Sequence, residues 1–173
     1  DNASGTAAVV ELARWLSERA KTRPFKRSIL FAHFTAEETG MIGAQRFAQQ
    51  PPMPTRQQVA LLNIDGMNVN DGVDYILQYG EGVSELEHYL AAAAKARGRT
   101  VKPDPRPQAG LLYRSDHHAL AQAGVPGLMF MSLGDTDPHY ISHKYHKPAD
   151  DYDPSWSLEG VRQDLQIVAD IAI

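Results

Sequence analysis

Residues 29–34 form an almost unbroken apolar run that is followed closely by two adjacent carboxylates. The run contains aromatic and β-branched side chains and predicts a strand covered on both faces. Glu37 and Glu38 come next, and Gly40 then allows the backbone to turn. Ligand sites in α/β folds lie at the carboxyl ends of strands, where two crowded negative charges repel unless a cation neutralises them. A solvated turn with two surface glutamates is the alternative.

A second apolar run has the same arrangement. Residues 59–64 predict another buried strand, and this run ends in Asp65 followed by Gly66. The carboxyl ends of parallel strands meet at one edge of a sheet, so Glu38 and Asp65 are expected to lie close together. Two strand ends that both carry acids favour a shared site over coincidence.

The rest of the chain alternates between strand and helix patterns. Residues 74–79 and 126–132 predict further strands, and residues 101–110 predict an irregular or edge segment. Apolar residues at helical spacing occur in residues 7–21, 39–50, 84–97 and 156–173. This order predicts an α/β fold with a mostly parallel central sheet flanked by helices on both faces, in one domain that spans residues 1–173.

Composition narrows the possible chemistry. The 173 residues carry a net charge of −4 with scattered Lys and Arg, so nucleic acid and anionic membranes are not expected partners. No apolar run approaches the roughly 20 residues that span a bilayer. The chain has no cysteine, which excludes disulfides and thiolate metal sites. Any metal must therefore be bound by histidine and carboxylate side chains, a donor set that suits zinc.

Several polar residues have structural as well as functional explanations. Residues 134–153 predict a long polar loop with His139, His143 and His146, more histidines than a surface loop normally needs. Ser4 predicts the N-cap of the first helix, which leaves Asp1 outside that helix. Ser115 predicts the N-cap of a short helix in the same way.

Five short motifs occur in one order along the whole chain. They are Asp1-Asn2-Ala3-Ser4-Gly5, Ala36-Glu37-Glu38-Thr39-Gly40, Asn63-Ile64-Asp65, Ser115-Asp116-His117 and Tyr145-His146. Each motif is weak alone, but in this order the chain resembles metallopeptidase family 28, the two-zinc aminopeptidases. The resemblance implies the zinc-aminopeptidase fold, two zinc ions, peptide substrates and hydrolysis of N-terminal peptide bonds. It also implies a periplasmic or secreted protein.

The resemblance implies a role for each matching residue. Asp1 would bridge the two metal ions, Glu38 and His146 would complete one zinc site, and Asp65 would bind the other zinc. Glu37 would be the general base that accepts a proton from water. A second set of residues would lie near the substrate pocket: Tyr113, Arg114, Ser115, Asp116 and His117.

One ligand of the family pattern is missing from the chain. The resemblance places a histidine, together with the first strands, upstream of the bridging aspartate, and this sequence begins at Asp1. We therefore expect an N-terminally incomplete domain that binds at most one zinc well, at Glu38 and His146, and that is inactive on its own if the second site is required. His33, His139 or His143 could substitute, although His33 lies within the first apolar run and is expected to be a core residue.

Three other functions are compatible with these residues. A glutaminyl cyclase-like transferase uses a similar fold with a single zinc, and a non-catalytic binding domain of the same fold need not keep its metal ligands. A serine hydrolase built on Ser115 is disfavoured because no glycine-flanked nucleophile elbow surrounds that serine. The sequence leaves substrate preference, oligomeric state and the choice between amino- and carboxypeptidase action open.

Overall fold

The computed structural model of the protein describes residues 2–132 and 138–173. Six α-helices occur in these ranges: α1 Ala3–Thr22, α2 Ile42–Gln49, α3 Leu86–Ala96, α4 His117–Gln122, α5 Pro138–His143 and α6 Glu159–Ala172. Four strands lie between α2 and α5 along the chain: β1 Leu61–Asn63, β2 Tyr75–Tyr79, β3 Thr100–Pro103 and β4 Gly127–Met131. Short 3-10 helices occupy Thr55–Gln57, Pro107–Ala109 and Leu111–Tyr113.

The strands form one mixed sheet in the order β1-β4-β2-β3. β1 is parallel to β4, with Leu61 opposite Gly127, and β2 is parallel to β3, with Tyr75 opposite Thr100. The central pair, β4 and β2, is antiparallel. The prediction of an α/β fold with a mostly parallel sheet is therefore confirmed, and residues 101–110 supply most of the edge strand β3.

Apolar side chains pack on both faces of this sheet. The main core joins α1, α3 and α6 to the sheet through residues such as Leu16, Leu90, Leu128 and Ile167. A second core on α2 and α4 is made by Ala44, Ala119, Leu120 and Val125. Successive residues of a strand point to opposite faces, which explains why Leu62 packs on the main core and Leu61 on the second.

The first predicted strand differs from expectation. Residues 29–34 are not assigned as a strand, and no backbone hydrogen bond joins residues 28–34 to any residue that the structure describes. Their apolar side chains stay partly exposed, and Leu30 is 51% exposed. A strand requires a ladder partner as well as an apolar pattern, and the described residues provide none at this position.

A buried ion pair joins α6 to the sheet. Arg99 Nη1 donates to Asp164 Oδ1 at 2.8 Å, and Ser132, which directly follows β4, donates to Asp164 Oδ2 from its backbone N and its Oγ. Arg99 also donates from Nη2 to the backbone oxygen of Tyr75. The Arg99 and Asp164 side chains are only 4% and 2% exposed. This pair therefore fixes α6 against the end of β4 and the start of β2.

Among the helices in the described ranges, none combines the length and the apolar character that a bilayer crossing would require.

Candidate functional site

A short turn presents Glu37 and Glu38 between residues 29–34 and α2. Gly40 N and Met41 N donate to the backbone oxygen of Glu37 at 2.9 and 2.7 Å. Ala36, directly before the glutamates, has a φ of 57°, a left-handed conformation that is costly for a residue with a Cβ. The turn thus holds both glutamates at the end of the extended segment, where the sequence placed them.

Asp65 lies just beyond β1 and has hydrogen bonds on both carboxylate oxygens. Ser115 Oγ donates to Asp65 Oδ2 at 2.7 Å, and Gly66 N donates to Oδ1 at 2.9 Å. Asn63 Nδ2 in turn donates to Ser115 Oγ at 2.8 Å. The expectation that Ser115 caps a helix is wrong, because its side chain bonds Asp65 and the N-cap residue of α4 is Asp116. This network fixes the orientation of the Asp65 carboxylate.

The start of α1 packs directly against Asp65. A Cβ on Gly5 would overlap the backbone oxygen of Asp65, so only glycine allows this approach. Asn2 is the N-cap residue of α1, while Ser4 Oγ accepts a hydrogen bond from Met67 N at 3.0 Å. The predicted cap at Ser4 is therefore wrong. Asp1 lies outside the described residues, so its bridging role stays a prediction.

Glu38 and His146 are in direct contact. His146 Nε2 lies 2.7 Å from Glu38 Oε1, and the two side chains are 41% and 62% exposed. The His146 ring stacks on the ring of Tyr145, with centroids 3.8 Å apart and an interplanar angle of 24°. His146 has a φ of 56°, which makes it, like Ala36, a left-handed residue at this site. The two residues predicted for one zinc site are thus brought together from positions more than a hundred residues apart in the chain.

The environment of Glu37 favours its protonated form. Burial makes the largest contribution and raises the pKa of the Glu37 carboxyl to about 7. The charges of three neighbouring acids, Glu38, Asp65 and Asp116, contribute to the same shift, and His146 opposes it. A carboxyl group whose pKa lies near 7 can both accept and release a proton at neutral pH, as an acid–base catalyst must.

His117 is buried and Asp116 is partly buried, and the charge of Asp65 acts on both. Burial, followed by the charge of Asp65, raises the pKa of Asp116 to about 6. Asp116 Oδ1 is shielded from solvent and has no hydrogen-bond partner among the described residues. Burial, followed by the charge of His118, lowers the pKa of His117 to about 4. The predicted pocket residues Asp116 and His117 therefore lie beside the acid cluster, and His117 is the more deeply buried of the two.

The other two predicted pocket residues lie further out. Tyr113 is 61% exposed, and its ring makes an edge contact with His118 at a centroid distance of 5.4 Å. Burial, followed by the charge of Glu38, raises the pKa of Tyr145, and the positive charge of Arg114 opposes this shift. Arg114 therefore lies on the side of the site that holds Tyr145.

The site has the types of side chain that bind zinc, but too few of them come together among the described residues. Within residues 2–132 and 138–173, no group of three or more His, Asp or Glu side chains is placed to hold a metal ion. The described residues supply the Glu38–His146 pair, Asp65, and a buried Asp116 oxygen without a partner. Their mutual repulsion is of the kind that a divalent cation relieves, so the chemistry fits zinc, with further donors required.

The other histidines do not complete this set. His33, expected in the core, is exposed and lines a cleft, because no described strand covers that edge of the segment. His139 and His143 are exposed on α5 and stack on each other, with centroids 4.2 Å apart.

Two residues of the site had no role in the sequence interpretation. Asn63 donates to Ser115, and Tyr145 stacks on His146. Both residues belong to the quoted motifs, so their positions were visible. Their contacts depend on which face of β1 holds Asn63 and on the left-handed backbone of His146, and apolar periodicity encodes neither.

Known proteins resemble this chain in sequence. The sequence pattern of peptidase family M28 matches residues 1–169. The aminopeptidase YwaD of Bacillus subtilis is 26% identical over 160 residues, which cover 87% of this chain and 32% of that protein. An aminopeptidase of Pseudomonas aeruginosa is 29% identical over 135 residues, covering 72% of this chain and 24% of the relative. The chain thus spans a third or less of these relatives.

Solved structures share the fold. The aminopeptidase from Aneurinibacillus sp. strain AM-1 superposes with a TM-score of 0.70 at 24% identity, covering 99% of this chain and 38% of that one. The LapA aminopeptidase of Legionella pneumophila gives a TM-score of 0.71 at 21% identity, covering 100% of this chain and 46% of that one. At these identities the likeness establishes the fold.

Proposed function

The chain belongs to peptidase family M28. From that premise we propose that it is part of a zinc-dependent exopeptidase, an aminopeptidase, and that it carries the general base. The single observation that supports this proposal is the position of Glu37. It lies half-buried among Glu38, Asp65 and Asp116 with its pKa raised to about 7. A surface turn in water would leave such a carboxyl group at its ordinary pKa.

Four residues are proposed to hold zinc. Glu38 and His146 would bind one ion, Asp65 would bind the second, and Asp1 would bridge them. Zinc, when bound, supplies a Lewis acid that polarises the scissile carbonyl and makes water more acidic. Ser115 would keep the Asp65 carboxylate in place through its 2.7 Å hydrogen bond.

Glu37 is proposed to move the proton. Its carboxylate would accept a proton from the attacking water and then donate that proton to the departing amine. The bond that forms joins the water oxygen to the carbonyl carbon, and the bond that breaks is the peptide C–N bond. Burial of Glu37 serves both steps, because the protonated and ionised forms are then similar in free energy near pH 7.

The proposal predicts that Glu37→Gln and Glu38→Gln fail in different ways. Glu37→Gln should keep the bound zinc and lose about a hundredfold or more in kcat, because the proton acceptor is removed. Glu38→Gln should instead lose zinc. Elemental analysis measures the zinc content, and hydrolysis of a leucyl anilide measures the activity. Both variants are made in a polypeptide whose unsubstituted form hydrolyses the anilide.

Two outcomes would contradict these assignments. Near-native turnover by Glu37→Gln would show that Glu37 is not the general base. Unchanged zinc content in Glu38→Gln would show that Glu38 is not a zinc ligand. Ser155→Ala is a suitable control, because Ser155 hydrogen-bonds to Asp153 and not to the acid cluster.

A second candidate function is a single-zinc, glutaminyl cyclase-like transferase. The observation that favours it is that Glu38 and His146 are the carboxylate–imidazole pair in direct contact among the described residues. Cyclisation of a peptide with an N-terminal glutamine, without hydrolysis of the leucyl anilide, would support this second function over the first.

A further inference from the structure

Two histidines that have no role in the proposed reaction lie one turn apart on α5. His139 and His143 are four residues apart in this helix, and both residues are exposed. Residues at positions i and i+4 of a helix lie on the same face, one above the other. The two rings stack, with centroids 4.2 Å apart and an interplanar angle of 18°. The two imidazoles therefore form one pair on the surface, the α5 histidine pair.

Hydrogen bonds at the base of this pair determine which ring nitrogen of His143 carries the proton. His143 Nδ1 lies 3.3 Å from the backbone oxygen of His139 and 2.6 Å from Ser142 Oγ. Ser142 Oγ donates its own proton to the same backbone oxygen at 3.3 Å, so it accepts from Nδ1. A carbonyl oxygen can only accept as well, which assigns the proton to Nδ1. The lone pair of the neutral ring is then on Nε2, the ring nitrogen farther from the backbone.

The arrangement matches that of histidines that bind metals. A ligating histidine donates its other ring N–H to an acceptor such as a carbonyl, which fixes the tautomer and the ring orientation. Two nitrogens bound to one tetrahedral zinc at about 2.0–2.1 Å lie about 3.3 Å apart. Rings whose centroids are 4.2 Å apart are close enough to share such an ion. The torsion about the His139 Cβ–Cγ bond is soft, so this ring can turn its Nε2 toward the ion that His143 faces.

The donor atoms also select the class of metal. Imidazole nitrogen favours Zn²⁺, Ni²⁺ and Cu²⁺ over Mg²⁺ and Ca²⁺, which prefer oxygen ligands. The pair supplies two ligands, and water would complete the coordination. A site of this kind agrees with the finding that no group of three or more ligating side chains is placed around one point in residues 2–132 and 138–173.

We propose that His139 and His143 bind one divalent transition-metal ion at a site separate from the Glu38–His146 pair. His143 binds the ion through Nε2, and the ion connects the first turn of α5 to its last residue. The site uses none of the residues assigned to catalysis, so the inference does not depend on the proposed function.

The bound ion would stabilise the end of α5. Lys144 N and Tyr145 N both donate to the backbone oxygen of Tyr140, at 2.8 and 2.9 Å. These bonds close the helix directly before His146. An ion held by both histidines opposes the opening of this turn, because opening would separate its two ligands.

The first test measures binding of Cu²⁺ alone, since Cu²⁺ binds such donors most tightly and has an EPR spectrum. The parent protein is the chain with Glu38→Gln and His146→Gln, which lacks the other carboxylate–imidazole pair. It should bind a Cu²⁺ ion whose spectrum shows two nitrogen ligands. His139→Gln and His143→Gln should each weaken binding by about tenfold or more, because the second imidazole no longer binds in an intramolecular step. His88→Gln, an exposed histidine on α3, is the matched control and should have no effect.

The second test measures amide hydrogen exchange in the same parent protein by NMR, with Zn²⁺ because it is diamagnetic. At a Zn²⁺ concentration about ten times the Kd, the Lys144 and Tyr145 amides should exchange about tenfold more slowly than without metal. This protection should be absent in His143→Gln.

Three results would overturn the proposal. The first is an unchanged Cu²⁺ affinity in His139→Gln or in His143→Gln. The second is a loss of only about half of the bound Cu²⁺ in each variant, which would mean that the histidines bind metal independently. The third is exchange of the Lys144 and Tyr145 amides that does not respond to Zn²⁺, which would mean that no ion connects the two ends of α5.

Discussion

Among the single residues, His117 links burial most directly to behaviour in solution. The side chain is 2% exposed, and both ring nitrogens are shielded from solvent. Its pKa is about 4 in the folded chain against 6.5 in the unfolded one, so the unfolded chain binds more protons between these values. Stability is therefore complete above about pH 6.5 and falls as the pH drops toward 4, by up to about 3 kcal/mol.

The measurement for His117 is urea unfolding of the native chain and of His117→Asn between about pH 4.5 and about pH 7.5. The native chain should lose more stability toward acid than the variant does. Asp116 acts in the opposite direction, because its raised pKa favours the folded state at low pH, but it is present in both proteins and cancels in the difference. Parallel stability curves for the two proteins would show that His117 does not titrate in this way.

At the scale of an element, the position of α1 depends on one glycine. Gly5 is buried against the backbone of Asp65, and a Cβ there would overlap the Asp65 carbonyl oxygen. Gly5→Ala should destabilise the fold by about 1–3 kcal/mol, because the cost of overlap exceeds the gain in helix propensity of about 1 kcal/mol. The measurement is the free energy of unfolding in urea.

Ser17→Ala is the matched control for Gly5→Ala. Ser17 is exposed on the same helix, so its replacement should be neutral or slightly stabilising. A Gly5→Ala variant as stable as Ser17→Ala would mean that α1 can move away from Asp65 at no cost, and that the helix does not fix the site.

Helices and strands were predictable from the sequence where short-range residue patterns determine them. Helical spacing located α1, α3 and α6, and turn residues bounded β1 and β4. Residues 29–34 have the pattern of a buried strand yet form none, because ladder formation depends on a neighbour that no local pattern encodes. The antiparallel direction of β2 was equally hidden, since alternating apolar residues read the same in both directions.

The sequence was sufficient to predict that acids from different parts of the chain lie close together. The acids after two apolar runs, Glu38 and Asp65, do lie in one electrostatically coupled cluster around Glu37. Hydrogen bonds between distant residues were not predictable. Ser115 is 50 residues from Asp65 and 52 residues from Asn63 in the sequence, and the packing of α4 on β1 brings the three residues together.

At the scale of the whole molecule, two ion pairs between the α3–β3 region and α6 form a natural comparison. Arg99–Asp164 is buried, whereas Arg97–Asp170 has side chains that are 37% and 31% exposed. Asp164→Ala should cost about 3–5 kcal/mol because it leaves a buried charge unpaired. Asp170→Ala should cost less than about 1 kcal/mol because water already screens its partner.

Urea unfolding of both single variants measures this difference. If Asp164→Ala does not fold, the double variant Arg99→Met with Asp164→Leu restores the test, because removing both charges should recover much of the lost stability. Two results would contradict the claim that burial makes the Arg99–Asp164 pair the more important one. They are an equal loss in the free energy of unfolding for the two single variants, and no recovery of that free energy in the double variant.

The reversed direction of β2 has a practical consequence. β2 begins at the sheet edge where β1 and β4 end, so its own carboxyl end lies on the opposite rim, far from Glu37. Gly82, on that rim, has open space around it. A fluorescent tag or an inserted epitope at Gly82 would therefore allow the protein to be immobilised or imaged while the acid cluster around Glu37 stays uncovered.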